Sequence, residues 1–328
     1  MVLFYGIYTY RRKDLVERWG ELIDTELSYI IVHAENLDLE RKSFRQFSLK
    51  PLFRNLLAEK LVSAESKFSG VAEGVLKKVF RTYNLEKESF RKIGQKRPHL
   101  IVGGIQELTA MHITKALPQI ARFIDHPSPQ VYQEAQYSVV RFQGFEGLAF
   151  LSSASAILSE WQQLRLLKSV SSVPADSQNL IDEWLGSTNH SVVVFVLRLI
   201  RKFQLLTSYS QVLNLMDHPD MTVRMQTVQT LQSLENHLTL SQLQVEYFKQ
   251  PLEVQVEILK AIKRMGDLRA IDFYLQVLSY EGSFAVRIHA AEGLFHLGVS
   301  RELHELAAGQ DDSSDLVRII KHALQEKV

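Results

Sequence analysis

The sequence predicts an all-α protein, a right-handed α-solenoid of stacked helical hairpins, preceded by a non-repeating helical cap. Three observations predict it. Apolar helical runs recur at Leu100, Val131, Gln162, Val193, Val223, Val254, Val286 and Val317, at intervals of 30 to 32 residues. The turn Asp-His-Pro stands at residues 125–127 and again at 217–219, 92 residues or three repeat lengths apart. Each interval holds two short helical stretches with one apolar stripe apiece, and two short helices cannot bury such stripes without neighbours to stack on. At 328 residues the chain also exceeds an ordinary single-core domain, so it must divide or extend by repetition.

Residues 1–13 read MVLFYGIYTYRRK. The mostly apolar and aromatic stretch before Arg11, Arg12 and Lys13 is too short for a membrane span of about 20 residues. It also lacks the charged front and small-residue cleavage site of a signal peptide. Aromatic residues running into a basic cluster look like the cytoplasmic end of a membrane helix. The segment is therefore expected to be the end of a truncated anchor, with a first amphipathic helix packed on the body as the alternative. The expected location is cytoplasmic, with anchoring at the amino terminus.

Residues 14–97 read as helices of a different pattern. DLVERWGELIDTELSYIIV, PLFRNLLAEKLVSAESKF and FSGVAEGVLKKVFRTYNL carry helical apolar spacing, with a break expected at Ser69 and Gly70. Such a cap covers the apolar end that a first repeat would expose. The repeats then fill residues 98–328. One helix of each is typified by TVRMQTVQTLQSL, AVRIHAAEGLFHLG and LVRIIKHAL, and the other by ALPQIARFIDHP, SYSQVLNLMDHP and AIDFYLQVLSYEG.

The Asp-Pro-type turn, the recurrent Val-Arg, Ala290 and Ala291, and Leu297-Gly298 resemble the HEAT-repeat family in its short form of about 31 residues, whereas the usual length is about 40 to 47. Val131-Tyr132 and Gln162-Gln163 depart from the Val-Arg pattern. The stretches GIQELTAMHITKALPQI, EAQYSVVRFQGFEGLAFL and LSEWQQLRLL further resemble a group of bacterial HEAT-domain proteins that carry a membrane helix before the repeats. Genes of that group often lie beside membrane glycosyltransferases. The resemblance implies a scaffold at a polysaccharide-making or exporting complex, and carries no catalytic motif across.

The chemistry-bearing residues are sparse. Cysteine is absent, which excludes disulfides, thiolate zinc sites and cysteine nucleophiles. No H-E-x-x-H, G-x-S-x-G or P-loop occurs. His289, Glu292 and His296 share a helix face but need ligands from elsewhere to hold a metal, so no metal, no cofactor and no enzymatic activity are expected. HEAT-like iron hydroxylases display several His-Glu dipeptides, and this chain has only His304-Glu305. Residues 41–97 hold 15 basic against 5 acidic residues, while residues 101–328 hold 19 against 24. An anionic surface is thus expected to meet Lys77, Lys78, Arg81, Arg91, Lys92, Lys96 and Arg97, with acidic lipid favoured over nucleic acid.

Trp161 and Trp184 are the candidate partner contacts, because tryptophan is enriched at interface hot spots, although a tryptophan in an apolar stripe is more often core. The resemblance implies that Arg224, Arg287 and Arg318 serve structure, each pairing with an acid or a turn carbonyl of the next repeat. The function expected is a non-enzymatic scaffold that binds a protein partner on the repeat surface. The alternatives are binding of an anionic lipid or polyanion through the basic third, and a HEAT-like lyase or metal-dependent enzyme.

Overall fold

The computed structural model describes residues 2–33, 42–68, 70–279, 283–308 and 314–325, with the side chains of residues 2–9 and 325 left aside. Among the described residues all regular structure is helical and no strand occurs. Ser69, half of the expected break, lies outside them, as do residues 280–282 at the end of AIDFYLQVLSYEG. The chain forms two compact units, Met1–Phe150 with Leu164–Ser171, and Leu151–Gln163 with Ser172–Val328.

In the first unit α1 (Val2–Val32), α2 (Lys42–Arg45), α3 (Pro51–Glu65), α4 (Val71–Thr82) and α5 (Glu86–Ile93) precede α6 (Pro98–Ala110), α7 (Leu117–Ile120) and α8 (Pro129–Gln143). α1 runs unbroken through the expected boundary at residue 13, and α5 and α6, on either side of residue 97, pack on each other. Trp19, Ile23, Leu27 and Ile30 recur at helical spacing on α1 and are buried against α3 and α4. Trp19 meets Phe53 edge to face at 5.5 Å, and Phe44 meets Phe53 and Tyr83 the same way. Among the described residues no helix is long and apolar enough to cross a membrane.

α6 comes close to α5 because Gly104 carries no side chain. A Cβ there would stand 2.7 Å from the Ser89 carbonyl oxygen. α8 stops at Gly144, whose φ of 65° is left-handed, and the chain continues to Ser153 as a tighter 3₁₀ coil. Gly147 in that coil leans on the backbone of Val139 and Val140, where a side chain has no room. ALPQIARFI is likewise not one helix but the short α7 between two 3₁₀ turns, its start set by Pro118, which lacks an N–H.

α9 (Glu160–Ser169) begins with residues of the second unit and ends with residues of the first. The second unit continues with α10 (Gln178–Leu185), α11 (His190–Phe203), α12 (Tyr209–Asn214), α13 (Met221–Ser233), α14 (Thr239–Tyr247), α15 (Leu252–Met265), α16 (Ile271–Ser279), α17 (Phe284–His296), α18 (Ser300–Ala308) and α19 (Asp315–Gln325). α11, α13, α15, α17 and α19 pack each on the next, and α10, α12, α14, α16 and α18 pack on the row. α11 is buried nearly all round, as its run of Val192 to Leu197 requires. Every one of the eight anchors that set the 31-residue interval falls on the third or fourth residue of its helix. All but Leu100 are buried.

The repeated Asp-His-Pro turn has a specific physical use. Proline supplies no N–H, and the imidazole reaches over it: His126 Nδ1 accepts from Ser128 N at 3.1 Å and His218 Nδ1 from Asp220 N at 3.0 Å. Asp220 then caps α13, its carboxylate accepting from Val223 N at 3.0 Å. The turn carbonyls are also satisfied. Arg224 Nε donates to His218 O, and in the earlier copy, which has no arginine, Gln136 Nε2 donates to Ile124 O at 3.1 Å.

Candidate interaction surfaces

The seven basic residues of the cap are not equivalent. Lys77 is bound to Glu73 one turn back on α4, and Lys92 to Glu107 across the α5–α6 contact, where Ser89 Oγ donates to the same carboxylate at 2.7 Å. Arg91 lies 3.3 Å from Glu88, which Arg54 holds at 2.7 Å. Burial works to raise the Glu88 pKa, but the hydrogen bond and charge of Arg54 outweigh it and leave the carboxyl below its ordinary value. Lys78, Arg81, Lys96 and Arg97 are exposed and have no ion-pair partner among the described residues.

The potential near α4 is positive. His112, just past α6, has its pKa lowered first by burial and then by the charges of Lys77, Arg141 and Arg81. A cleft of about 560 Å³ opens between α1, α3 and α6, with Arg12, Leu52, Asn55, Val62 and His99 on its walls and the Lys92–Glu107 pair at its base. Sequence spacing alone did not indicate it, because its walls come from three helices far apart in the chain.

The two repeat tryptophans part company. Trp161 on α9 is 72% exposed. Trp184, proposed from the sequence as a second partner contact, is 1% exposed, and its Nε1 donates to Ser152 Oγ at 2.9 Å. It is a core residue, because α10 lays this side against α11 and the indole N–H finds its acceptor inside.

The histidines and repeat arginines are tied into local structure. Glu292 is bonded to Lys263 at 2.8 Å and to His289 at 3.2 Å. Burial works to raise its pKa, and those two partners overcome it, so the carboxyl is held below its ordinary value. Among the described residues no group of three or more histidine, aspartate or glutamate side chains is placed to hold a metal ion. Arg224 Nη1 reaches Gln250 Oε1 at 3.3 Å in addition to the His218 carbonyl, and Arg287 Nε donates to Leu278 O at 3.1 Å. Arg318 is exposed and stands 3.9 Å from Asp315.

A polar ladder that the sequence did not disclose crosses the row of α11, α13 and α15. Arg201 Nη1 donates to Gln229 Oε1 at 3.0 Å, Gln229 Nε2 donates to Glu257 Oε1 at 3.0 Å, and Arg264 Nη2 donates to the same Glu257 oxygen at 2.9 Å. One turn back on α11, Arg198 donates to Gln163 Oε1 at 3.0 Å and lies 3.5 Å from Glu160. The first unit has a counterpart in Glu134, which accepts from Arg165 on both oxygens and from Gln106. The available signal was Arg198 and Arg201, two polar residues three apart in an otherwise apolar helix.

No protein-family model matches the chain, and no curated protein matches it. Among solved structures, the crystal structure of an engineered protein is similar at a TM-score of 0.42 and 14% identity, covering 94% of each chain. Human deoxyhypusine hydroxylase in complex with glycerol is similar at a TM-score of 0.31 and 12% identity, over 97% of this chain and 98% of that one. These likenesses identify no family. The surface itself therefore has to carry the functional argument. An exposed indole can bury its aromatic side against a partner, and a ladder of amides and guanidinium groups can satisfy polar groups of one.

Proposed function

We propose that the protein is a non-enzymatic scaffold whose hairpins form a right-handed α-solenoid and whose surface binds a protein partner. Stacked repeats supply extended surface with many independent contact positions. The observation that carries this reading is Trp161, 72% exposed on a helix whose other face is buried. Leaving an indole in water forgoes a large apolar contribution, and tryptophan in such a position is the residue type most enriched at interface hot spots. The resemblance read in the sequence puts the partner in a membrane glycosyltransferase complex, with the amino terminus toward the membrane.

A photo-crosslinking amino acid placed at position 161 in cells that naturally make the protein tests the reading. A discrete cross-linked protein that is absent when the same group stands at exposed Arg301 is the expected result. Identical patterns at the two positions would refute it.

A second reading rests on Lys78, Arg81, Lys96 and Arg97, exposed and without ion-pair partners among the described residues, as contacts for anionic headgroups. Each such charge contributes about 1 kcal/mol near an acidic membrane surface. Sedimentation with phosphatidylserine vesicles at low and high salt checks it, and binding that is absent or insensitive to salt removes it.

A further inference from the structure

We propose that Arg198, Arg201 and Arg264 form a carboxylate-binding site for an acidic peptide segment of the protein partner, an inference that rests on the scaffold reading. Arg201 is half-buried, and its guanidinium donates one hydrogen bond, to a neutral acceptor, Gln229 Oε1. That oxygen is already shared, since Gln226 Nε2 donates to it at 3.2 Å. The guanidinium has five N–H donors in all, so among the described residues most of Arg201's fork has no protein acceptor. The same chain of bonds runs from Arg201 through Gln229 to Glu257 and Arg264. Arg198 stands one turn away on the same helix, its nearest carboxylate, Glu160, 3.5 Å off and 86% exposed.

Like charges are therefore gathered here with one well-formed acidic partner, Glu257. Burial and the charges of Arg198 and Arg264 lower the Arg201 pKa, the direction expected of a guanidinium that lacks a counter-ion. A carboxylate relieves that repulsion and matches the fork with two parallel hydrogen bonds, so the cluster is preorganised for it. A phosphate polymer fits less well, because it needs cations in succession, whereas this row continues to Glu257 and Glu292 and residues 101–328 hold more acidic than basic residues. Trp161 lies on the same helix as Glu160 and Gln163, the two residues that Arg198 touches.

The test is a titration of the full chain into fluorescein-labelled hexaglutamate, followed by anisotropy at low and moderate salt. Wild-type protein is expected to bind in a salt-sensitive way. Arg201→Gln and Arg264→Gln are each expected to weaken binding about tenfold, the scale of a charge-assisted hydrogen-bonded pair. Arg301→Gln on α18 is expected to bind as wild type, and Arg198→Lys, which keeps the charge and loses the fork, to bind several-fold more weakly. Circular dichroism confirms that each variant is folded. Absence of wild-type binding, binding by Arg201→Gln and Arg264→Gln that equals wild type, or stronger competition by polyphosphate than by polyglutamate at equal charge overturns the proposal. Cross-linking at position 161 reads the scaffold independently: if it persists while hexaglutamate fails, the acidic-segment inference alone falls.

Discussion

Trp161 and Trp184 sit 23 residues apart in helices of neighbouring intervals, and in sequence nothing separates them. Their burial differs because Trp184 faces α11 while Trp161 faces outward. Trp184→Ala is expected to cost about 3–5 kcal/mol, the range for removing a large aromatic side chain from a core. Trp161→Ala is expected to change stability by no more than about 0.5 kcal/mol, as for an exposed substitution. Urea denaturation of the two variants measures both. Burial depends on which neighbour covers a helix face, and a periodic pattern shows that a face is apolar without showing how much of it is covered. The basic residues teach the same lesson. Lys92 was legible as a cation but not as one with an acid beside it, because Glu107 reaches it only once α5 and α6 are paired, whereas the Glu73–Lys77 pair is a local i,i+4 spacing.

Turns and close contacts decide matters at the level of the element. The imidazole of His218 supplies the acceptor for Asp220 N–H, the first backbone donor after a proline that has none. His218→Ala is expected to destabilise by about 1 kcal/mol, the net worth of an ordinary hydrogen bond, and His218→Asn, which can accept from the same N–H, by less. Thermal unfolding of the pair distinguishes a hydrogen-bonding role from a packing one. Gly293 presents a different constraint, since a Cβ there would fall inside the ring of buried Tyr274, whose hydroxyl donates to Leu259 O at 2.9 Å. Gly293→Ala is expected to cost about 1–3 kcal/mol despite alanine's better helix propensity, measured by chemical denaturation. The helix starts and their 31-residue interval were readable because caps, prolines and apolar periodicity act locally. The stop at Gly144 and the 3₁₀ coil after it were not, because that path depends on the space beside Val139 and Val140.

Across the molecule, each compact unit holds a carboxylate largely shielded from water and kept charged by a base from another helix: buried Glu88 with Arg54, and half-buried Glu292 with Lys263. Both have pKa values below the ordinary 4.5, burial opposing the shift and the basic partner prevailing. The unfolded chain therefore binds more protons than the folded one between the folded and unfolded values, and stability rises with pH across that window. The contribution is present above pH 4.5 and is lost as pH falls through the folded values. Melting temperatures measured from about pH 6 to about pH 3 are expected to fall below the ordinary carboxylate value, and to fall less steeply in Glu88→Gln and Glu292→Gln, although each variant starts lower. Equal slopes in wild type and variants would show that other groups govern acid unfolding.

The order of apolar and polar residues, with its turns, was enough by itself to set the all-helical class, the eight anchor positions and the chemistry of the corners, because hydrogen-bond periodicity and proline act within a few residues. Which tryptophan is exposed, which lysines are free and where three arginines converge on α11 and α15 was decided only by packing. Lys92 meets Glu107 from 15 positions away and Gln229 meets Glu257 from 28, so burial and charge pairing there are set by the contacts of one helix with the next.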